Sequence, residues 1–121
     1  MNKTVLIVDD SDLVLKVLSN KLSKSGYNIL SASNGKQALE FLDGRSIDLI
    51  ITDLNMPEMN GEELINAVRT NTSYQFIPII LFLSDDVIDK KHFLKKSGAT
   101  ICFDKSNVND KLVSSVKKLI R

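Results

Sequence analysis

Four side chains have types and spacing that could do chemistry together: the acid pair Asp9-Asp10, the single acid Asp53, and Lys105. Each closes a short apolar run: Val5-Leu6-Ile7-Val8, Leu49-Ile50-Ile51, and Ile101-Cys102-Phe103. Ser84-Asp85 follows the run from Ile77 to Leu83 in the same way. Carboxylates gathered at one point repel each other unless a positive charge compensates. Oxygen ligands with no His or Cys cluster nearby select magnesium or manganese over zinc. A carboxylate beside such an ion and an ammonium group is set up to accept a phosphoryl group. The two cations stabilise the equatorial oxygens while the carboxylate oxygen attacks in line, and the product is an acyl phosphate. No separate base is needed, because the carboxylate is already ionised at neutral pH.

Taken singly, each acid has an ordinary structural use. An Asp before a helix caps it, and an Asp after a strand makes a turn. Independent capping does not predict acids at the ends of two neighbouring strands with a lysine closing a third.

The elements that must position these residues alternate from end to end. The apolar runs named above, with Ile29-Leu30, read as five strands, and runs apolar on both faces imply a parallel sheet covered on both sides. Between them lie helical stripes: Val14, Val17, Leu18 and Leu22; Ala38, Leu39 and Leu42; Leu64, Ala67 and Val68; and Leu112, Val113, Val116, Leu119 and Ile120. Gly26, Gly44 and Gly98 sit where left-handed helix ends are expected. Ser11 or Asp12, Asn34, Asn60, and Asn107 or Asn109 are candidate N-caps. The pattern is (βα)5, an α/β doubly wound sheet, and ligands of such sheets bind outside the carboxyl ends of the strands.

Length and composition agree. The 121 residues fit a single domain spanning 1–121, with no linker and no output domain expected. The chain is 43% hydrophobic, which excludes disorder for most of it, and its 16 basic and 15 acidic residues give a net charge of +1. No basic face for nucleic acid and no membrane anchor is expected. The single cysteine, Cys102, excludes an internal disulfide and suits a reducing compartment, so the expected location is cytoplasmic.

At these residues the chain resembles the receiver domains of two-component response regulators, of the chemotaxis-regulator kind. The resemblance is carried by Val5 to Ser11, by Asp53-Leu54-Asn55-Met56-Pro57-Glu58-Met59-Asn60-Gly61, by Pro78-Ile79-Ile80, and by Gly98-Ala99 with Asp104-Lys105. It implies a flavodoxin-like five-stranded parallel sheet in the order 2-1-3-4-5, an order taken over from such domains rather than derived. It implies that Asp53 is the phosphoacceptor, that Asp9 and Asp10 form the acidic pocket, and that the backbone carbonyl of Asn55 completes a magnesium shell. Lys105 would contact the phosphate, and Pro57 and Gly61 would shape the loop. The implied partners are a histidine kinase or phosphotransfer protein and a downstream protein target, met through the fourth helix, fifth strand and fifth helix.

Three positions depart from the family pattern. Receivers end the fourth strand in a Thr or Ser that bonds the phosphoryl group, and ungapped spacing puts Leu83 there, a side chain that donates nothing. A bulge in the strand would bring Ser84 into its place; otherwise pleat alternation is expected to turn Ser84 away. The aromatic switch position of the fifth strand falls at Cys102, with Phe103 on the opposite face. After Lys105 stands Ser106 where proline, in a cis peptide, is frequent. His92, among Lys90, Lys91, Lys95 and Lys96, reads as solvated, and Met56 and Met59 as the seal of the loop.

Other functions fit less well. Aspartyl-phosphate hydrolases carry Asp-x-Asp-x-Thr after the first strand, whereas Asp9-Asp10-Ser11-Asp12 stands here, and they need insertions this length lacks. A nucleotide-binding loop would not place acids where a phosphate must sit. A receiver-like interaction module that works without phosphorylation is the remaining alternative, favoured by Leu83 and opposed by the intact acids and lysine.

Overall fold

The computed structural model describes residues 2–84, 96–105 and 110–120. Five parallel strands, β1 (Thr4–Val8), β2 (Asn28–Ala32), β3 (Leu49–Asp53), β4 (Ile79–Leu83) and β5 (Ile101–Asp104), form one sheet in the order β2-β1-β3-β4-β5. The order agrees with the expectation for a flavodoxin-like doubly wound sheet. The helices are α1 (Asp12–Lys24), α2 (Gly35–Glu40), α3 (Gly61–Thr70) and a C-terminal helix (Asp110–Leu119). The expected fourth helix, with His92 and most of its lysines, lies outside the described residues, as do Asp85, Ser106, Asn107 and Asn109.

Pleating divides the strands between two cores. Leu6, Val8, Ile50, Leu54, Ile79, Leu81 and Leu83 pack with Ala38 of α2 and Leu64, Ile65 and Val68 of α3. Val5, Ile7, Leu49, Ile51, Ile80 and Phe82 pack with Leu18 and Leu22 of α1 and Leu112 and Val116 of the C-terminal helix. Central strands β1, β3 and β4 are buried on both faces, which is why their sequences are apolar throughout instead of alternating. Edge strand β2 alternates more freely, and only Ala32 is buried in it.

The caps fall at residues whose side chains can reach the first turn. Ser11 accepts from the Val14 N–H, Asn34 from Gln37, and Asn60 from Glu63, whose carboxylate returns a bond to the Asn60 N–H. Two boundaries differ from the sequence expectation. The fourth strand begins at Ile79 and not at Ile77, because Pro78 has no N–H to give the ladder. Helix α2 stops at Glu40, short of Leu42, as the chain tightens into three-residue bonds from Phe41 to Ala38 and from Leu42 to Leu39.

Candidate functional site

Asp9 and Asp53 continue the pleat of the face that packs on α1. Val5 and Ile7 lead to Asp9, Leu49 and Ile51 lead to Asp53, and Ile101 and Phe103 on β5 lead to Lys105. The pleat that buries the core therefore delivers the polar groups to one place where the strands end. Direct pairing of β1 with β3, Val8 opposite Thr52, brings the acids together. Asp9, Asp10 and Asp53 each offer an oxygen within 4.8 Å of the others, with Asp9 and Asp53 buried and Asp10 exposed.

Lys105 binds the two buried acids to each other. Its Nζ lies 3.1 Å from Asp53 Oδ2, to which it donates a hydrogen bond, and 3.1 Å from Asp9 Oδ2. The second contact is an ion pair without hydrogen-bond alignment, so Asp9 Oδ2 is a buried oxygen lacking any hydrogen bond. The other oxygens are held by backbone: Asp9 Oδ1 accepts from the Ser11 N–H at 2.9 Å, and Asp53 Oδ1 from the Leu54 N–H at 2.9 Å. Burial raises the Asp53 pKa, and the Asp9 charge adds to the effect; Lys105 and the Leu54 N–H oppose it without reversing it. For Lys105, burial works against the ammonium, but the two carboxylates outweigh it and its pKa rises.

A crowded set of carboxylates, one with an unbonded buried oxygen, fits a hard divalent cation such as magnesium. Among the described residues one lysine faces three acids, a net negative cluster that a divalent cation would balance.

The loop after β3 is built for close approach. Gly61 opens α3 with its N–H bonded to the Leu54 carbonyl, and a β-carbon there would run into the Asp53 carbonyl oxygen. Glu58 takes φ 67°, a left-handed turn, and Met59 packs on Gly35 so closely that a β-carbon at that glycine would force the methionine to shift. Met56 and Met59 lie against the core on the α3 side, as a seal over the sheet would.

The chain is matched over residues 5–117 by the model of the response regulator receiver domain. It belongs to that family. Among curated relatives, the chemotaxis protein CheY1 of Helicobacter pylori is 41% identical over 83 residues, 67% of each chain. The chemotaxis response regulator CheY4 of Vibrio cholerae superposes with a TM-score of 0.89 at 32% identity, covering 98% of this chain and 99% of that one. The response regulator TrrA of Thermotoga maritima, solved in complex with Mg(2+)-BeF, gives a TM-score of 0.80 at 32% identity, covering 97% and 98%.

Within this receiver, the fourth strand corrects one expectation. β4 carries no bulge: Ile50 to Asp53 pair in step with Ile79 to Phe82, and Ile80 to Leu83 with Ile101 to Asp104. Leu83 is fully buried in the core on the α3 side, and Cys102 packs against that same core. Ile80 and Phe82 take the α1 side; β4 ends at Leu83, and Ser84, half-buried, follows it. Leu83 itself faces away from Asp53, into the α3-side core. Phe103 lies on the opposite face from Cys102, as alternation requires, with its ring centroid 6.1 Å from that of Phe82. Asn55 is exposed two residues beyond Asp53.

One residue of the site escaped sequence reasoning. Thr52 is fully buried between the apolar run Leu49 to Ile51 and Asp53, and donates its hydroxyl to the Asp53 carbonyl at 3.0 Å. Its place between that run and Asp53 carries no sequence signal of its own, since threonine is common in strands.

Proposed function

We propose that this receiver domain works as a phosphorylation-operated switch, accepting a phosphoryl group on Asp53 from a phosphohistidine of a histidine kinase or phosphotransfer protein. An Asp53 oxygen forms the new P–O bond as the P–N bond to histidine breaks, and the imidazole leaves with the electron pair. Lys105, poised 3.1 Å from Asp53 Oδ2, is freed from that oxygen to hold a phosphoryl oxygen. Asp9, Asp10 and the backbone carbonyl of Asn55 would hold magnesium, with Asp53 as the fourth ligand. The ion supplies charge neutralisation of the phosphoryl oxygens when bound. Ser84 stands in for the usual strand-end hydroxyl from its own register. The same site hydrolyses the acyl phosphate, which makes the chain a self-processing switch and not an enzyme with an external substrate.

The observation that carries this reading is Lys105 shared between Asp9 and Asp53, beside an exposed Asp10. A second observation supports the docking of a donor. Leu13 and Val17 of α1 are exposed, and with Val14, Leu18 and Lys105 they line an apolar recess of about 200 Å³ at the edge of the site. The output target would be met by the face of the fourth helix, β5 and the C-terminal helix, with the protein acting in the cytoplasm without touching nucleic acid or membrane. Among the described residues no helix is long and apolar enough to cross a membrane.

Mass spectrometry after incubation with acetyl phosphate and magnesium tests the proposal. One phosphoryl adduct labile to hydroxylamine, and absent in Asp53→Asn, is expected. A parent protein that carries no adduct would leave the phosphorylation-independent module.

A further inference from the structure

We propose that the Thr52 hydroxyl is a positioning group for the Asp53 carboxylate, acting through the peptide between Asp53 and Leu54; its catalytic consequence rests on Asp53 being the phosphoacceptor. Thr52 sits in the ladder between Val8 and Leu81, in surroundings that would accept valine of the same shape. A buried hydroxyl there is costly unless it is bonded, and it is bonded to the Asp53 carbonyl oxygen.

That carbonyl and the Leu54 N–H belong to one planar peptide. The N–H end donates to Asp53 Oδ1 at 2.9 Å while the carbonyl end accepts from Thr52 at 3.0 Å. Because the group is planar, any rotation of it moves both ends together and weakens both bonds. Gly61 closes on the same carbonyl from another direction and bonds the Leu54 carbonyl at 2.8 Å. The terminal torsion of an aspartate is soft. With Oδ1 tied to the fixed peptide, the carboxylate stops turning, and Oδ2 is held toward Lys105. The two oxygens thereby become inequivalent before any phosphoryl donor arrives, which is the kind of orientation that speeds an in-line attack.

The test compares Thr52→Val and Thr52→Ser with the parent chain, using acetyl phosphate and magnesium as the probe. Three readouts are taken: phosphorylation rate by mass spectrometry, hydrogen exchange of the Leu54 amide, and thermal melting. Thr52→Val should fold, exchange the Leu54 amide faster, and phosphorylate about tenfold more slowly, the rate equivalent of one hydrogen bond. Thr52→Ser should restore both rates to within about twofold, since a hydroxyl is what the position needs. Should the valine variant not fold, Thr52→Ala is read by the same measurements. A valine variant with the parent's rate overturns the inference. So does a serine variant as slow as valine, because the methyl group and not the hydroxyl would then matter. If the parent itself takes no phosphoryl group while Thr52→Val still loosens the Leu54 amide, the phosphoacceptor reading fails and the positioning contact stands.

Discussion

Asp53 is paired with Phe82 across β3 and β4, and that register decides which residue of the fourth strand can serve the site. Phe82 points to the α1 side and Leu83 to the α3 side, where Leu83 is sealed in the core. The fourth strand therefore ends in an apolar packing residue, and the first hydroxyl beyond it is that of Ser84.

Asp53→Asn should stabilise the metal-free protein. Burial and the Asp9 charge both raise the Asp53 pKa, so the folded state binds its proton more tightly than the unfolded chain does. The contribution of Asp53 is then full below its unfolded pKa of about 3.9 and is lost as pH rises through the higher folded value. Melting temperatures in a chelating buffer should show this fall between acid and neutral pH, and Asp53→Asn should flatten it and melt a few degrees higher at pH 7. A lower melting point would mean that the ion pair with Lys105 outweighs burial and the repulsion from Asp9.

Magnesium affinity should be weak, in the millimolar to sub-millimolar range, and should collapse in Asp10→Ala. Asp10 is exposed, so the substitution removes a ligand without opening the core, and the melting curve of the metal-free variant should stay near that of the parent. Calorimetric titration with magnesium gives the answer directly. Affinity unchanged in Asp10→Ala would remove that acid from the metal pocket.

Lys105→Met should move the acid limb of the phosphorylation rate upward in pH. The ammonium lowers the Asp53 pKa against burial and Asp9, so its loss lets that pKa climb and leaves less ionised nucleophile at a given pH. The same variant should remove a loss of stability on the alkaline side. A lysine whose folded pKa is raised contributes below its unfolded value of about 10.4 and ceases to contribute as pH passes through the folded one. Rates of adduct formation from pH 4 to 8, and melts from pH 9 to 12, cover both limbs. An unchanged acid limb would show that Lys105 does not govern Asp53.

Much of this was legible in the sequence because the site is an extension of the core pattern. Runs such as Val5 to Val8 specify buried parallel strands, and the acids that end them are where a doubly wound sheet gathers its ligands. What sequence could not supply was the face on which each β4 side chain sits. Val8, Leu54 and Leu83 share one core and Ile7, Ile51 and Phe82 the other, but all six are apolar, so hydropathy carries no sign of the pleat phase. Thr52 was overlooked for a related reason, since threonine is at home in strands and its bond to the next carbonyl leaves no spacing signature.

The coupling from site to output face follows from the same pleat. A phosphoryl group shifts a conformational equilibrium only by contacts that differ between the two states. In the family pattern the strand-end hydroxyl and an aromatic on the fifth strand supply that difference. Sequence spacing would put Leu83 and Cys102 at those positions; both pack on the α3-side core, so neither can be drawn toward Asp53 without leaving that core. In the proposed mechanism the handle is Ser84, the first hydroxyl beyond the end of β4. Phosphorylation should therefore move the amides of Ile101 to Lys105 less than in receivers with the usual pair. Ser84→Ala should reduce the movement further, removing a bond to a charged acceptor of about 1.5–3 kcal/mol. Leu83→Thr should leave the movement unchanged, because position 83 faces the α3-side core and not Asp53, while lowering stability by about 1–3 kcal/mol by placing a hydroxyl in that apolar core. Amide spectra with and without beryllium fluoride, recorded on the parent and both variants, measure all three. Large shifts in the parent that survive Ser84→Ala would show that neither hydroxyl transmits the signal, and the β4 argument would fall.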